Sequence, residues 1–120
     1  PFEIENPSGI TGLGLDVRYD DGFAAWINGV AVARANTRNG NLDWDSTAST
    51  GHSDNQAIEF SSFDLSAYTG ALVTGRNILA LQGLNRSATN RDFLLQVRLR
   101  GEESEIMKPS GRYFRVRVVE

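Results

Sequence analysis

The run Tyr19-Asp20-Asp21-Gly22-Phe23-Ala24-Ala25-Trp26-Ile27-Asn28-Gly29-Val30-Ala31-Val32-Ala33-Arg34 holds two turn signals and the edges of three extended segments. Phe23, Ala25 and Ile27 fall on one face of a period-2 pattern, and Ala24 and Trp26 on the other. Asn28-Gly29 is the strongest short hairpin signal, because a type I′ turn needs positive φ at both central residues. Val30 to Ala35 is then the return strand. Upstream, Asp20-Asp21-Gly22 reads as a tight turn in which the glycine accepts positive φ. Before it, Leu13, Leu15, Val17 and Tyr19 alternate with Gly14, Asp16 and Arg18, the pattern of a half-buried strand.

Working downstream, alternation stops from about residue 36 to residue 56. This polar stretch contains Trp44, His52, Asp43, Asp45 and Asp54, and its length inside a small domain points to function or mobility. Extended patterning resumes at Ala57 to Leu65. Asp64-Leu65-Ser66-Ala67-Tyr68 reads as a single turn capped by Asp64 or Ser66, with Tyr68 anchoring it. Thr74-Gly75-Arg76-Asn77 reads as a turn. Ile78 to Leu84, apolar on both parities, is expected to be a central buried strand. Asn85 to Arg91 is a polar loop. Phe93, Leu95, Val97 and Leu99 alternate with Leu94, Gln96, Arg98 and Arg100 as another strand, which Gly101-Glu102-Glu103-Ser104-Glu105 is expected to break. Arg112 to Val119 is a last strand that either completes the sheet or belongs to a neighbouring unit. No helix longer than one turn is expected. Seven to eight short strands separated by turns predict an all-β antiparallel β-sandwich or jelly roll.

Composition narrows the function classes. The chain has 120 residues and no cysteine, which excludes a disulfide scaffold, thiolate catalysis and the usual structural zinc sites. A single histidine, His52, leaves little room for histidine chemistry. The net charge of −3 argues against nucleic acid as a partner, and the apolar residues are too dispersed for membrane insertion. Asn, Ser, Thr and Gly make up 38 of the residues. A surface built of neutral hydrogen-bonding groups suits an extracellular protein and sugar recognition. The start at Pro1 suggests a piece of a larger protein.

The run from Tyr19 to Arg34 resembles the "DDG…NG…V" hairpin of galactose-binding-domain-like jelly rolls, which occur as carbohydrate-binding modules and accessory domains of large secreted glycosidases. Phe63-Asp64-Leu65-Ser66 and Gly75-Arg76-Asn77-Ile78-Leu79-Ala80-Leu81 are similar to two further segments of that family, in the same order. Gly83-Leu84-Asn85-Arg86-Ser87 and Asp92-Phe93-Leu94-Leu95 look like versions found in large secreted or surface proteins of environmental bacteria. The resemblance covers residues 13–100 and implies a jelly-roll core there. Residues 1–12 would be a flanking segment or first strand, and residues 101–120 a C-terminal strand or linker. It implies a non-catalytic polysaccharide-binding module, secreted or at the cell surface, with adjacent domains of its parent as further partners. A structural or adhesive sandwich without a glycan ligand is the alternative.

Several residues are candidates for a ligand site. An outward Trp26 would offer a flat apolar platform to a sugar ring; packing in the second face of the sandwich is the plainer reading. Trp44 between Asp43 and Asp45 resembles a sugar subsite, with stacking from the ring and hydrogen bonds from the acids, or else it pins its loop. Asn85 would add hydrogen bonds. Arg86 could read an acid group on a polysaccharide or simply be solvated. Asp20 and Asp21, with Asp16, Glu59 and Asp92, suggest a structural Ca²⁺, although Asp20 and Asp21 are equally explained as turn residues. Gly51-His52-Ser53-Asp54 cannot form a triad by itself and no nucleophile elbow exists, so no enzyme activity is expected.

Overall fold

A computed structural model describes residues 1–37, 47–49, 59–85, 94–103 and 112–114. It is an all-β antiparallel sandwich. Among the described residues there are nine strands: β1 (Phe2–Ile4), β2 (Ile10–Asp20), β3 (Gly22–Ile27), β4 (Val30–Ala35), β5 (Ser61–Asp64), β6 (Gly75–Asn77), β7 (Leu79–Leu84), β8 (Leu94–Glu103) and β9 (Arg112–Phe114). One sheet has the order β5-β2-β8-β9, a second β4-β3-β7, and β1 pairs with β6. Helical structure among these residues is confined to two 3-10 segments, the single turn Pro7–Gly9 and Ser66–Ala71, whose six residues make about two turns where one was expected, and no helix among them is long and apolar enough to cross a membrane.

The period-2 faces find each other across the sandwich. Leu13, Leu15, Val17 and Tyr19 of β2 pack against Phe23, Ala25 and Ile27 of β3, with Leu79 and Leu81 of β7 and Leu99 of β8. Phe23 is fully buried. Its ring lies 5.0 Å from Tyr19 and 5.1 Å from Phe63, the latter edge-on, so one aromatic side chain ties the two sheets together. Phe2, Ile4 and Ile10 also belong to this core, which makes residues 2–4 a first strand. Two bulges adjust the alternation. The register shifts between Ile10 and Gly12, which lets both Ile10 and Leu13 face inward. A second shift between Ala25 and Trp26 turns Val32 into the core.

The β3–β4 hairpin has the expected turn, with Asn28 at φ 49° and Gly29 at φ 84°. Five expectations change. Gly22 does not provide positive φ: β2 and β3 lie in different sheets, so the Asp-Asp-Gly segment crosses between sheets instead of closing a hairpin. Gly22 is small because a Cβ there would sit 2.7 Å from the Asn36 carbonyl oxygen and 3.0 Å from that of Ala35. Residues 75–77 form β6 and not merely a turn, since pairing with β1 supplies the ladder. The strand at 79–84 is not central: β3 holds the middle of its sheet among the described residues, and Ile78 is 40% exposed. The acidic run does not end β8, which continues through Glu103 because Arg98, Arg100 and Glu102 share its outer face while Leu99 and Gly101 are buried. Tyr68 is exposed, and Leu65 and Leu72 anchor its turn instead.

Candidate functional site

The outer face of β5-β2-β8 is built from the residues that alternate with the core. Gly12, Gly14, Asp16 and Arg18 of β2 lie there, opposite Glu102, Arg100, Arg98 and Gln96 of β8 and, across the other edge, Asp64 and Ser62 of β5. A glycine inside a strand costs stability unless something approaches closely. Here a Cβ on Gly14 would meet Arg100 Nη2 at 2.7 Å, and one on Gly12 would meet Glu102 Oε2 at 3.0 Å. The two glycines let these long side chains lie flat across the strand.

Arg100 lies flat because Asp16 holds it. The Asp16 carboxylate is only 4% exposed and accepts from Arg98 Nε at 2.9 Å, Arg100 Nε at 3.1 Å, Arg100 Nη2 at 3.3 Å and the Ser62 hydroxyl at 2.8 Å. Burial alone would push this carboxyl up. The hydrogen bonds from Ser62, Arg100 and Arg98, with the Arg100 charge, outweigh it and hold the group below its ordinary value. Beside this cluster Phe60 receives two guanidinium groups, Arg18 at 4.2 Å and Arg98 at 4.7 Å from the ring centre.

Over the glycine floor lies an open trough of about 370 Å³. Ser62, Asp64 and Ser66 form one wall, and Arg100 and Glu102 the other. Asp64 Oδ1 accepts from the Ser66 N–H at 2.9 Å, and the bonds from the Ser66 hydroxyl and N–H keep its carboxyl below its ordinary value. The Ser66 hydroxyl also accepts from the Leu13 N–H at 3.2 Å, which fixes the turn against β2. The walls thus present hydroxyl, carboxylate and guanidinium groups on rigid elements. Sequence reading missed this trough, although glycines two apart on one strand face, and charges two apart on β8, were its trace.

Trp26 projects from the opposite side of the sandwich. It is half-buried on the outer face of β3, with Ala31 and Ala80 as cross-strand neighbours. Asn85 follows β7 and is half-buried, its carbonyl accepting from the Ala48 N–H at 2.7 Å. Trp26 pairs with Ala80, five residues before Asn85, so Trp26 and Asn85 are about 17 Å apart along the strand direction, and the structure does not bring them together. Trp44, Asp43, Asp45 and Arg86 lie outside the described residues. Asp20 and Asp21 are buried at the crossing between sheets, and both are engaged by the fold. Asp16 is committed to two arginines. Among the described residues no three His, Cys, Asp or Glu side chains come together to hold a metal; Asp92, the last of the carboxylates considered for Ca²⁺, lies outside the described residues.

An amide clasp, also missed, explains two of the sequence motifs. Asn77 is fully buried. Its Oδ1 accepts from Asn28 Nδ2 at 2.9 Å and the Val73 N–H at 2.8 Å, while its Nδ2 donates to the carbonyls of Val73 and Gly75. Asn28 Nδ2 also donates to the Ala71 carbonyl, and Asn28 Oδ1 accepts from the Ile78 N–H. The asparagines of the hairpin turn and of β6 are therefore structural. No family model, curated protein or solved structure matches the chain.

Proposed function

We propose that this β-sandwich is a non-catalytic polysaccharide-binding module of a secreted or cell-surface protein, a galactose-binding-domain-like jelly roll in class, and that the glycine-floored trough is its binding surface. The observation that carries the reading is the trough itself, an open depression of about 370 Å³ on a rigid sheet face, walled by Ser62, Ser66, Asp64, Arg100 and Glu102. Its volume lies within the range of small-ligand clefts. Its groups match the paired donors and acceptors of a polyol, and its open form suits a chain lying across the sheet. Such a site works through several wet hydrogen bonds, so dissociation constants between about 1 μM and 1 mM are expected.

Affinity electrophoresis through gels containing neutral glucan, mannan, galactan or xylan tests the reading. At least one polymer should retard the wild type, and Asp64→Ala with Glu102→Ala should abolish the retardation while circular dichroism stays unchanged. Loss with Trp26→Ala and not with the trough variants would move the site to the outer face of β3. Absence of retardation on any polymer would sink the glycan reading.

A structural or adhesive role is the second reading, and one observation favours it. Val30, Val73 and Ile78 are exposed around the Asn28–Asn77 clasp, an apolar rim at one end of the sandwich.

A further inference from the structure

Among the described residues three charged side chains line the trough: Asp64, Arg100 and Glu102. They do not stand on equal terms toward a ligand. The Arg100 guanidinium is already engaged by Asp16 through both Nε and Nη2. Recruiting it to an anion would take partners from a carboxylate that is 4% exposed, and a buried charge stripped of its partner is costly. The two carboxylates are available by contrast. Asp64 is exposed and uses one oxygen to cap Ser66. Glu102 is exposed, and among the described residues its carboxylate has no hydrogen bond or ion pair. Among the described lining residues two carboxylates stand against one guanidinium group, and that one is paired with Asp16.

We propose that the trough selects an uncharged polyhydroxyl chain and rejects its sulfated or carboxylated counterpart. Asp64 and Glu102 accept hydroxyl hydrogens on either side of the glycine floor, while Arg100, the only cation among the described lining residues, stays on Asp16. The inference rests on the glycan reading above and adds the charge class of the ligand. Near a protein surface, a like charge brought within a few ångströms of a carboxylate lowers affinity by about tenfold or more, and salt weakens the effect.

The test uses the neutral polymer that retards the chain most, and the same polymer after chemical sulfation, at pH 7 and low ionic strength. The neutral form should bind at least about tenfold more tightly, and added salt should narrow the gap. Glu102→Gln keeps hydrogen-bonding capacity and removes the charge, so the ratio should fall toward unity; Glu102→Lys should invert it. Equal or tighter binding of the sulfated polymer by the wild type would overturn the charge selectivity and leave glycan binding standing. An unchanged ratio in Glu102→Lys would overturn it too. Retention on neither polymer would overturn both.

Discussion

Asn77 shows how much one buried polar side chain can hold. All four of its amide hydrogen-bonding positions are filled, and its neighbours have few alternatives. Asn77→Ala leaves the Val73 N–H and two carbonyls without these partners and is expected to cost about 3 kcal/mol. Asn77→Asp should do no better, because its second oxygen would face the carbonyls of Val73 and Gly75. Both losses are measurable as shifts of the urea midpoint at unchanged slope. Phe23 makes a matching apolar case. Phe23→Ala opens a cavity between Tyr19 and Phe63 where the two sheets meet, with an expected cost of about 3–5 kcal/mol. Gly22→Ala should also destabilise, because its Cβ would press on the Asn36 carbonyl, which accepts from the Ser49 N–H, and on that of Ala35 at the end of the ladder.

At the scale of elements, Gly14→Ala separates support of the trough from support of the fold. The added Cβ would meet the end of the Arg100 side chain, which can swing away more readily than backbone. The expected result is a small loss, about 1 kcal/mol from the weakened pair with Asp16, together with a clear loss of polymer retardation as the floor rises. Retained binding with the same destabilisation would show that the glycines serve only to seat Arg100. The elements themselves were legible to different degrees. The β3–β4 hairpin was readable because Asn28-Gly29 encodes its turn locally, and β2 because its apolar alternation is long. β6 was not, since three residues around a positive-φ glycine become a strand only by pairing with β1. The end of β8 was misjudged because charge at Glu102 and Glu103 looks like a strand breaker until its alternate residues are seen to share a solvated face. The trough was hidden for a related reason. Its walls come from residues 62–66 and 100–102, and only the register of β5 and β8 on β2 brings them together over Gly12 and Gly14.

For the molecule as a whole, the Asp16 cluster couples the outer face of one sheet to stability in acid. Burial raises this carboxyl, but the bonds from Ser62, Arg100 and Arg98 lower it further, and the net displacement is below the ordinary value of 3.8. A carboxyl lowered on folding contributes stability that is fully present above its unfolded value and is lost as pH falls through the folded one. Asp16→Asn keeps the shape and removes the charge. The arginine side chains are 45% and 37% exposed, so once freed they return readily to water, and the variant should lose only about 2 kcal/mol at neutral pH. The gap between wild type and Asp16→Asn in urea midpoints should be level from about pH 7 to pH 5 and close only below about pH 4. Because the carboxylate is buried, moderate salt should leave most of that gap in place, unlike the ligand selectivity of exposed Glu102. A gap undiminished at pH 2 would mean that Asp16 supports the sheet through shape and hydrogen bonding alone. Parallel loss of polymer retardation in Asp16→Asn would show that the trough depends on Arg100 being held flat.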